Sequence, residues 1–219
     1  LEEGGVFYDI TPIRRTTPAG GVTFSATDGS STITVTDTNH GAKGGDFVTF
    51  SGAVSLGGLI TANVLNQEYT IASVTNASTY TFQARTASTD ISEYYSNGVV
   101  DTSGAAVSAN SSDSGNGGSS TVGAYQINTG VDTTVLGTGW GAGTWSRGTW
   151  NSAASLTVLT ETLRLWTHDT FGEDLIMNTR NGGIYYWDAT NGTATRAVEL
   201  SSLSGASDAP IIANKVIVS

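Results

Sequence analysis

A chain of 219 residues with 38% hydrophobic and 9% aromatic content has apolar material for one large core or two small ones. Its 19 acidic residues against 9 basic ones give a net charge of −10, a surface that repels phosphate backbones and weighs against non-specific nucleic-acid binding on the outside. The lack of Cys excludes a disulfide framework, a thiolate metal site and a cysteine nucleophile, and no apolar run approaches the ~18 residues of a membrane helix, so no membrane anchor is expected.

The chain opens on "LEEGGVFYDIT", in which Gly4 and Gly5 read as a tight turn before an apolar and aromatic strand. It starts without Met and closes on "APIIANKVIVS", an apolar run like an unfinished strand, so the sequence reads as a segment of a longer polypeptide. Four strands follow the opening hairpin: "STITVTDT" (31–38), "DFVTFSG" (46–52), "QEYTIASV" (67–74) and "STYTFQAR" (78–85). Each alternates β-branched or aromatic residues with polar ones, and four short strands in so little chain predict a small antiparallel sheet or barrel. Gly41, Gly44 and Gly45 punctuate the first connection, His40 reads as a turn-stabilising side chain, and Asn76 sits at the tip of the last hairpin.

Residues 101–120, "DTSGAAVSANSSDSGNGGSS", hold too little apolar surface to pack and too much Gly and Ser to be stiff, so composition predicts a linker or a mobile loop. After the strand-like "TVGAYQINTG" comes "GTGWGAGTWSRGTW" (137–150), with Trp140, Trp145 and Trp150 at a strict spacing of five. Five fits neither a helix nor a strand. Such rings can pin an irregular segment to a surface, each burying ~150–250 Å²; the rival reading is a sugar-stacking platform. Pinning is preferred, because bulky Trp among Gly rarely projects into water as a set.

The last third is richer in large apolar groups. Leu156, Leu159, Leu163 and Trp166 fit a helical stripe, but the many Thr and the alternation around Leu163 and Leu165 favour a strand. "EDLIMNTRNGGIYYWDAT" is strand, turn, strand, with Gly182 and Gly183 in the turn and Tyr185, Tyr186 and Trp187 on the outgoing strand. It echoes the opening hairpin: Gly4-Gly5-Val6-Phe7-Tyr8-Asp9 aligns with Gly182-Gly183-Ile184-Tyr185-Tyr186, with Asp188 one residue later. Repeated hairpins with aromatic outgoing strands are what β-propeller blades look like, and the long offset requires an insertion between them. The expected architecture is therefore all-β, with propeller-like blades interrupted by a small inserted antiparallel β-barrel. Its parts are a blade hairpin at 1–18, the inserted barrel at 19–100, the Gly/Ser-rich loop at 101–120, a return segment at 121–150 and further blade at 151–219.

Catalytic signatures are scarce. The two His are His40 and His168, and His168 lies near Asp169, Glu173 and Asp174, a set that suits a divalent ion but reads better as a solvated turn. There is no nucleophile elbow, zinc-protease or Walker motif, and "GTGWGAG" imitates a phosphate loop without the helix and Lys that should follow. Paired carboxylates for glycoside hydrolysis depend on three-dimensional separation. No enzyme activity, cofactor or metal is expected.

Two resemblances appear at these residues. "STITVTDTNHGAKGGDFVTFSGA…LNQEYTIASVTNASTYTFQA" resembles the small β-barrel module of tailed-phage proteins, itself similar to the FCCH domain of ubiquitin-activating enzymes. The match falls on Asn39, His40, Gly41, Gly45, Asp46, Val48, Gly52, Leu65, Asn66, Tyr69, Val74, Tyr80 and Thr81, with departures at Ala42 and Gln67. The framing stretches "GGVFYDITPIR", "GTGWGAGTWSRGTW", "LRLWTHDTFGEDLIMNTRNGGIYYWDATNG" and "RAVELSS" resemble the tail nozzle, or tail tubular protein B, of short-tailed bacteriophages. That resemblance implies a virion location and a propeller body. It also implies a ring of copies of the chain, a hexamer, touching adaptor and fibre proteins, with DNA passing through its lumen without specific binding. In that setting Trp140, Trp145, Trp150, Trp166, Trp187, Tyr185 and Tyr186 are structural anchors, and Gly4, Gly5, Gly182, Gly183, His40 and Gly41 serve turns. The alternative is a tail fibre or receptor-binding protein that recognises host surface glycans.

Overall fold

A computed structural model describes residues 1–86, 104–127 and 165–218, the side chains at 6 and 7 excepted. Strand dominates it, as the alternation predicts. A two-stranded hairpin, β1 (Glu2–Glu3) and β2 (Val6–Phe7), opens the chain. Gly4 and Gly5 form its loop at φ +61° and +81°, the double positive φ of a type I′ turn.

Next come β3 (Ile13–Thr16), β4 (Thr23–Ala26), β5 (Thr32–Thr36) and β6 (Phe47–Ser51). A single helical turn, α1 (Ala62–Leu65), precedes β7 (Glu68–Thr70), β8 (Ser73–Asn76), β9 (Thr79–Gln83) and β10 (Val122–Gln126). These strands make two antiparallel sheets, in the orders β3-β10-β6-β7 and β4-β5-β9-β8. In "TITVT", "FVTFS" and "TYTFQ" every second residue points inward, so Ile33, Val35, Val48, Phe50, Tyr80 and Phe82 form one core between the sheets. Aromatic rings fill its centre: Phe24 and Phe50 meet edge to face at 5.0 Å, and Tyr69 lies 4.0 Å from Phe82.

Three features depart from the sequence expectations. "QEYTIASV" is two strands rather than one, because the chain turns at Ile71 and Ala72 from the first sheet into the second. Neither sheet closes into a barrel among the described residues; the module is a pair of packed sheets whose edge at β8 is interrupted by a bulge between Val74 and Asn76. Its first sheet also draws β3 and β10 from outside the 19–100 interval, with Tyr125 opposite Arg15 on one side and opposite Val48 on the other.

Residues 104–120 are not a free linker. They form a strap across the module through Val107 N–H to Ala84 O, Ala109 N–H to Ser30 O, Gly115 N–H to Leu56 O and Phe24 N–H to Asn116 O, at 2.6–3.0 Å. Composition misleads here because the strap is held chiefly by backbone bonds and polar side chains, with only Ala109 and Val107 adding apolar contact with the core. Its glycines allow the approach: a Cβ on Gly115 would lie 2.7 Å from Leu56 O and 2.9 Å from Leu56 Cα.

The third sheet is a meander in sequence order: β11 (Trp166–Phe171), β12 (Asp174–Thr179), β13 (Ile184–Trp187) and β14 (Val198–Glu199). Two short 3₁₀ turns, 189–191 and 200–202, flank β14. Trp166 begins a strand, while Leu156, Leu159 and Leu163 of the alternative helical stripe lie outside the described residues. One face of the meander buries Met177, Tyr185 and Trp187 against Ile10, Ile127 and Ala197, with Trp166 and Leu175 at the margin. Four antiparallel strands in this order are what a propeller blade would contain, but the described residues hold one such unit and no propeller. The two Gly-Gly hairpins also differ. At 179–184 the positive φ (+58°) belongs to Asn181, and the glycines give room instead: a Cβ on Gly182 would sit 2.1 Å from Thr179 Oγ1 and one on Gly183 2.9 Å from Tyr185 Oη.

Gly115→Ala tests the strap without any change of φ preference. The added methyl meets main chain that cannot rotate away, so a loss of about 1–3 kcal/mol is expected in denaturant unfolding. Gly29→Ala, where the new atom meets nothing within 4 Å but φ is +77°, separates backbone strain from the steric clash.

Candidate functional site

A dense polar constellation sits inside the module. Asp37 follows β5 and is 2% exposed. Arg15, on β3, grips it with both guanidinium nitrogens, at 2.6 and 2.9 Å. Tyr125 of β10 donates its hydroxyl to Asp37 Oδ2 at 2.6 Å, and Tyr80 of β9 lies 2.9 Å from the Tyr125 hydroxyl. Arg14 and Arg15 both lie over the Tyr125 ring, 5.2 and 5.5 Å from its centroid. The hydrogen bond to Asp37 raises the Arg15 pKa; burial first pushes both phenols well above the ordinary range, with the Tyr125 hydroxyl adding to the rise at Tyr80 and the Asp37 carboxylate to that at Tyr125. These groups hold one protonation state across the physiological range, which suits a lock rather than proton transfer.

His40 belongs to the same region and holds its turn as expected, but with its ring in the core at 1% exposure. Its Nδ1 accepts the Ala42 N–H at 3.0 Å, which assigns the ring proton to Nε2, 3.0 Å from Asn76 O. Its carbonyl receives both Arg14 nitrogens at 3.1 and 3.2 Å. Asn39 and Gly41 on either side take positive φ, 56° and 62°, so the turn carries the ring inward against Tyr80.

Two further residues of the module motif are occupied in the same manner. Asn66 exchanges two 2.8 Å bonds with the backbone of Ala53, and the Tyr69 hydroxyl donates to Val64 O. Gln67, a departure from the motif, donates to Val64 O and Arg85 O at 2.9 and 2.8 Å. Asp113 anchors the strap: its carboxylate accepts from the N–H groups of Gly58, Leu59, Ile60 and Asn110 at 2.8–3.1 Å. Burial alone would raise its pKa, but these four donors outweigh it and hold the carboxyl below its ordinary value.

A second set of contacts joins the module to the meander. Arg196, just before β14, reaches Asp9 at 2.8 Å, Thr11 O at 3.2 Å and Glu68 at 3.5 Å, while Gln126 also donates to Glu68. Backbone bonds Ala197 N–H to Ile10 O and Ile13 N–H to Ala197 O run beside it at 3.2 and 3.3 Å.

Within the meander, Trp187 is buried and donates Nε1–H to Thr195 O at 2.9 Å, Tyr185 is buried beside it, and Trp166 is half-buried. Tyr186 faces the other way and bonds Asp174, which also accepts the Ala189 N–H. That contact lowers the Asp174 pKa and pushes the Tyr186 phenol up to about 12. Asn178, fully buried, aims its amide nitrogen at four carbonyls, those of Thr179, Gly182, Gly183 and Ala213, at 3.0–3.3 Å. His168 is an exposed strand residue rather than part of a turn, and among the described residues no group of three or more His or carboxylate side chains gathers as a metal site. Trp140, Trp145 and Trp150 lie outside the described residues.

Sequence reasoning missed Arg15, Asp37, Tyr125, Asp113, Asn178 and Arg196. The adjacent pair Arg14-Arg15 in a chain with only 9 basic residues was the available signal.

The fold and the polar sites define an all-β protein with a two-sheet module locked by buried hydrogen bonds and edge-joined to a four-stranded meander. The chain matches no protein-family model and no curated protein. Among solved structures it is similar to a phage phi92 endosialidase at a TM-score of 0.31 and 17% identity, over 86% of this chain and 24% of that one. The chain thus spans about a quarter of that protein's length, and likeness at this level fixes neither fold nor function.

Three measurements test the locks. Arg15→Ala leaves Asp37 buried with a phenol for company, and about 2–4 kcal/mol should be lost in denaturant unfolding; Tyr125→Phe, which keeps the ion pair, should cost about 1 kcal/mol. Asp113 contributes stability that is complete above the unfolded Asp pKa of about 3.9 and is lost as pH falls through the lower folded value. Asp113→Asn should therefore be less stable near neutrality and show a shallower acid limb in unfolding followed against pH. Asn178→Asp turns an acceptor toward carbonyls; a loss of about 2 kcal/mol or more is expected, and an unchanged Tm would refute the cage.

Proposed function

We propose that this chain is a structural part of a bacteriophage tail, within the nozzle below the portal, and that it works by ring assembly rather than catalysis. One observation carries the reading. Three polar residues of the phage-module motif are committed to holding backbone: His40 uses both ring nitrogens on main-chain groups, and Asn66 and Tyr69 bond main chain as well. A motif built of such locks specifies a rigid unit to be placed in an assembly.

Under this reading the meander is one blade of a larger body, the module projects from it, and the Arg196 seam sets the angle between them. The excess of acid suits a lumen that DNA slides through without sticking. Ring closure uses heterologous contacts, one surface of each copy against a different surface of the next.

The test is a cryo-EM reconstruction of the intact particle with this chain traced in it. Sixfold density between portal and tail tip, with acidic side chains toward the channel, supports the nozzle. Density in trimeric appendages would transfer the chain to receptor binding and glycan recognition, and a basic channel lining would remove the conduit role.

A further inference from the structure

Among the described residues the meander has one long open edge. β14 is tied at the other side to Ile10 and Ile13 through Ala197, whereas β11 has no backbone partner beyond β12 among the described residues. Its six pairs with β12, from Trp166 opposite Thr179 to Phe171 opposite Asp174, run without a bulge. Open edges of this length are commonly blunted by bulges, as β8 is.

The direction of each backbone group follows from one bond. Arg180 donates to Leu165 O at 2.8 Å, so odd-numbered positions of this strand face β12. Antiparallel alternation then turns the N–H and C=O groups of Trp166, His168 and Thr170 outward. Asp169 touches this edge lightly, accepting the Thr170 N–H at 2.9 Å, and the segment after Lys215 bonds side chains of the strand instead of its backbone, Val216 to Thr167 Oγ1 and Val218 to Asp169 Oδ2.

We propose that β11 is a self-complementary edge through which two copies of this chain pair antiparallel about a twofold axis at His168. That register brings all three outward positions into hydrogen-bonded pairs, His168 with its counterpart and Trp166 with Thr170 in both directions; an axis at Thr167 or Asp169 engages two. It also sets Leu165 against Phe171 twice, and these are among the large apolar side chains the protein leaves in water, at 46% and 57% exposure. Thr167 meets Asp169, a hydroxyl beside a carboxylate. Such cross-strand pairs are the units that stabilise a sheet, and the product is a continuous eight-stranded sheet of two meanders. The Asp169 bond to Thr170 is exchanged for one to Trp166 of the second copy. The contact is isologous and closes at two copies, so it stands independently of the ring proposed above.

A chain without Cys makes the test direct. Sedimentation velocity of the unaltered chain over a micromolar concentration series should show a monomer–dimer equilibrium. Under mild oxidation His168→Cys should cross-link to a dimer, because directly paired Cα atoms lie about 5.5 Å apart, inside the disulfide range. Thr170→Cys should not, since its counterpart would be four residues away, about 13 Å. Leu165→Lys/Phe171→Lys should weaken dimerisation at least tenfold, and Leu165→Lys/Phe171→Glu should restore it, with circular dichroism confirming that each folds. A monomer at every concentration overturns the proposal, as does a dimer in which Thr170→Cys cross-links and His168→Cys does not. If a lysine variant fails to fold, the two cysteine variants still decide the register.

Discussion

A carboxylate that is 2% exposed cannot remain charged inside an apolar core unless its lone pairs are filled, and filling those of Asp37 organises the module. Arg15 arrives from one flank of the module and Tyr125 from the other, across 88 residues of sequence from Asp37 in the second case. Tyr80, bonded to Tyr125, adds the opposite sheet. One ionised group therefore fixes the relative position of β3, β5, β9 and β10. The aromatic core supplies most of the burial, but it is non-directional; the carboxylate, with bidentate geometry and short bonds, supplies the register.

The strap follows the same logic. A segment with almost no large apolar side chains is held because Asp113 collects four main-chain donors and because glycine lets backbone lie on backbone. Polar composition normally signals a chain unable to offset its ordering entropy by apolar burial. Here the offset comes from hydrogen bonds to a charged acceptor, each stronger than a neutral bond.

These two cases show which parts of the molecule its sequence exposes. The alternation in 32–36, 47–51 and 79–83 is a local signal, and it gave the strands and their inward faces directly. The turn between Thr70 and Ser73 was invisible, since a β-rich run continues through a change of sheet without a break in pattern. Long-range partners were hidden for a related reason: nothing near Asp37 in the chain announces Tyr125, and Arg196 meets Asp9 from the far end. The Gly-Gly pairs looked equivalent as text, yet one supplies positive φ and the other supplies space. His40 is the turn residue its neighbours suggest, but the polar residues beside it give no sign of its burial. The three evenly spaced tryptophans fall outside the described residues, so the structure leaves their role where the sequence put it.

The way the module joins the rest of the chain has a mechanical consequence. It is entered through β3 and left through β10, which are antiparallel neighbours, and the two connections emerge side by side where Ile127 N–H bonds Pro12 O at 2.9 Å. A load that pulls these two points apart acts across the ladder and not along it, so the bonds are strained one after another, beginning with that one. The module would open as a zipper does, from its stem, and would yield at low force however firmly its interior is packed. Tension carried by the flanking chain would meet a weak outer seam before it reached the aromatic core.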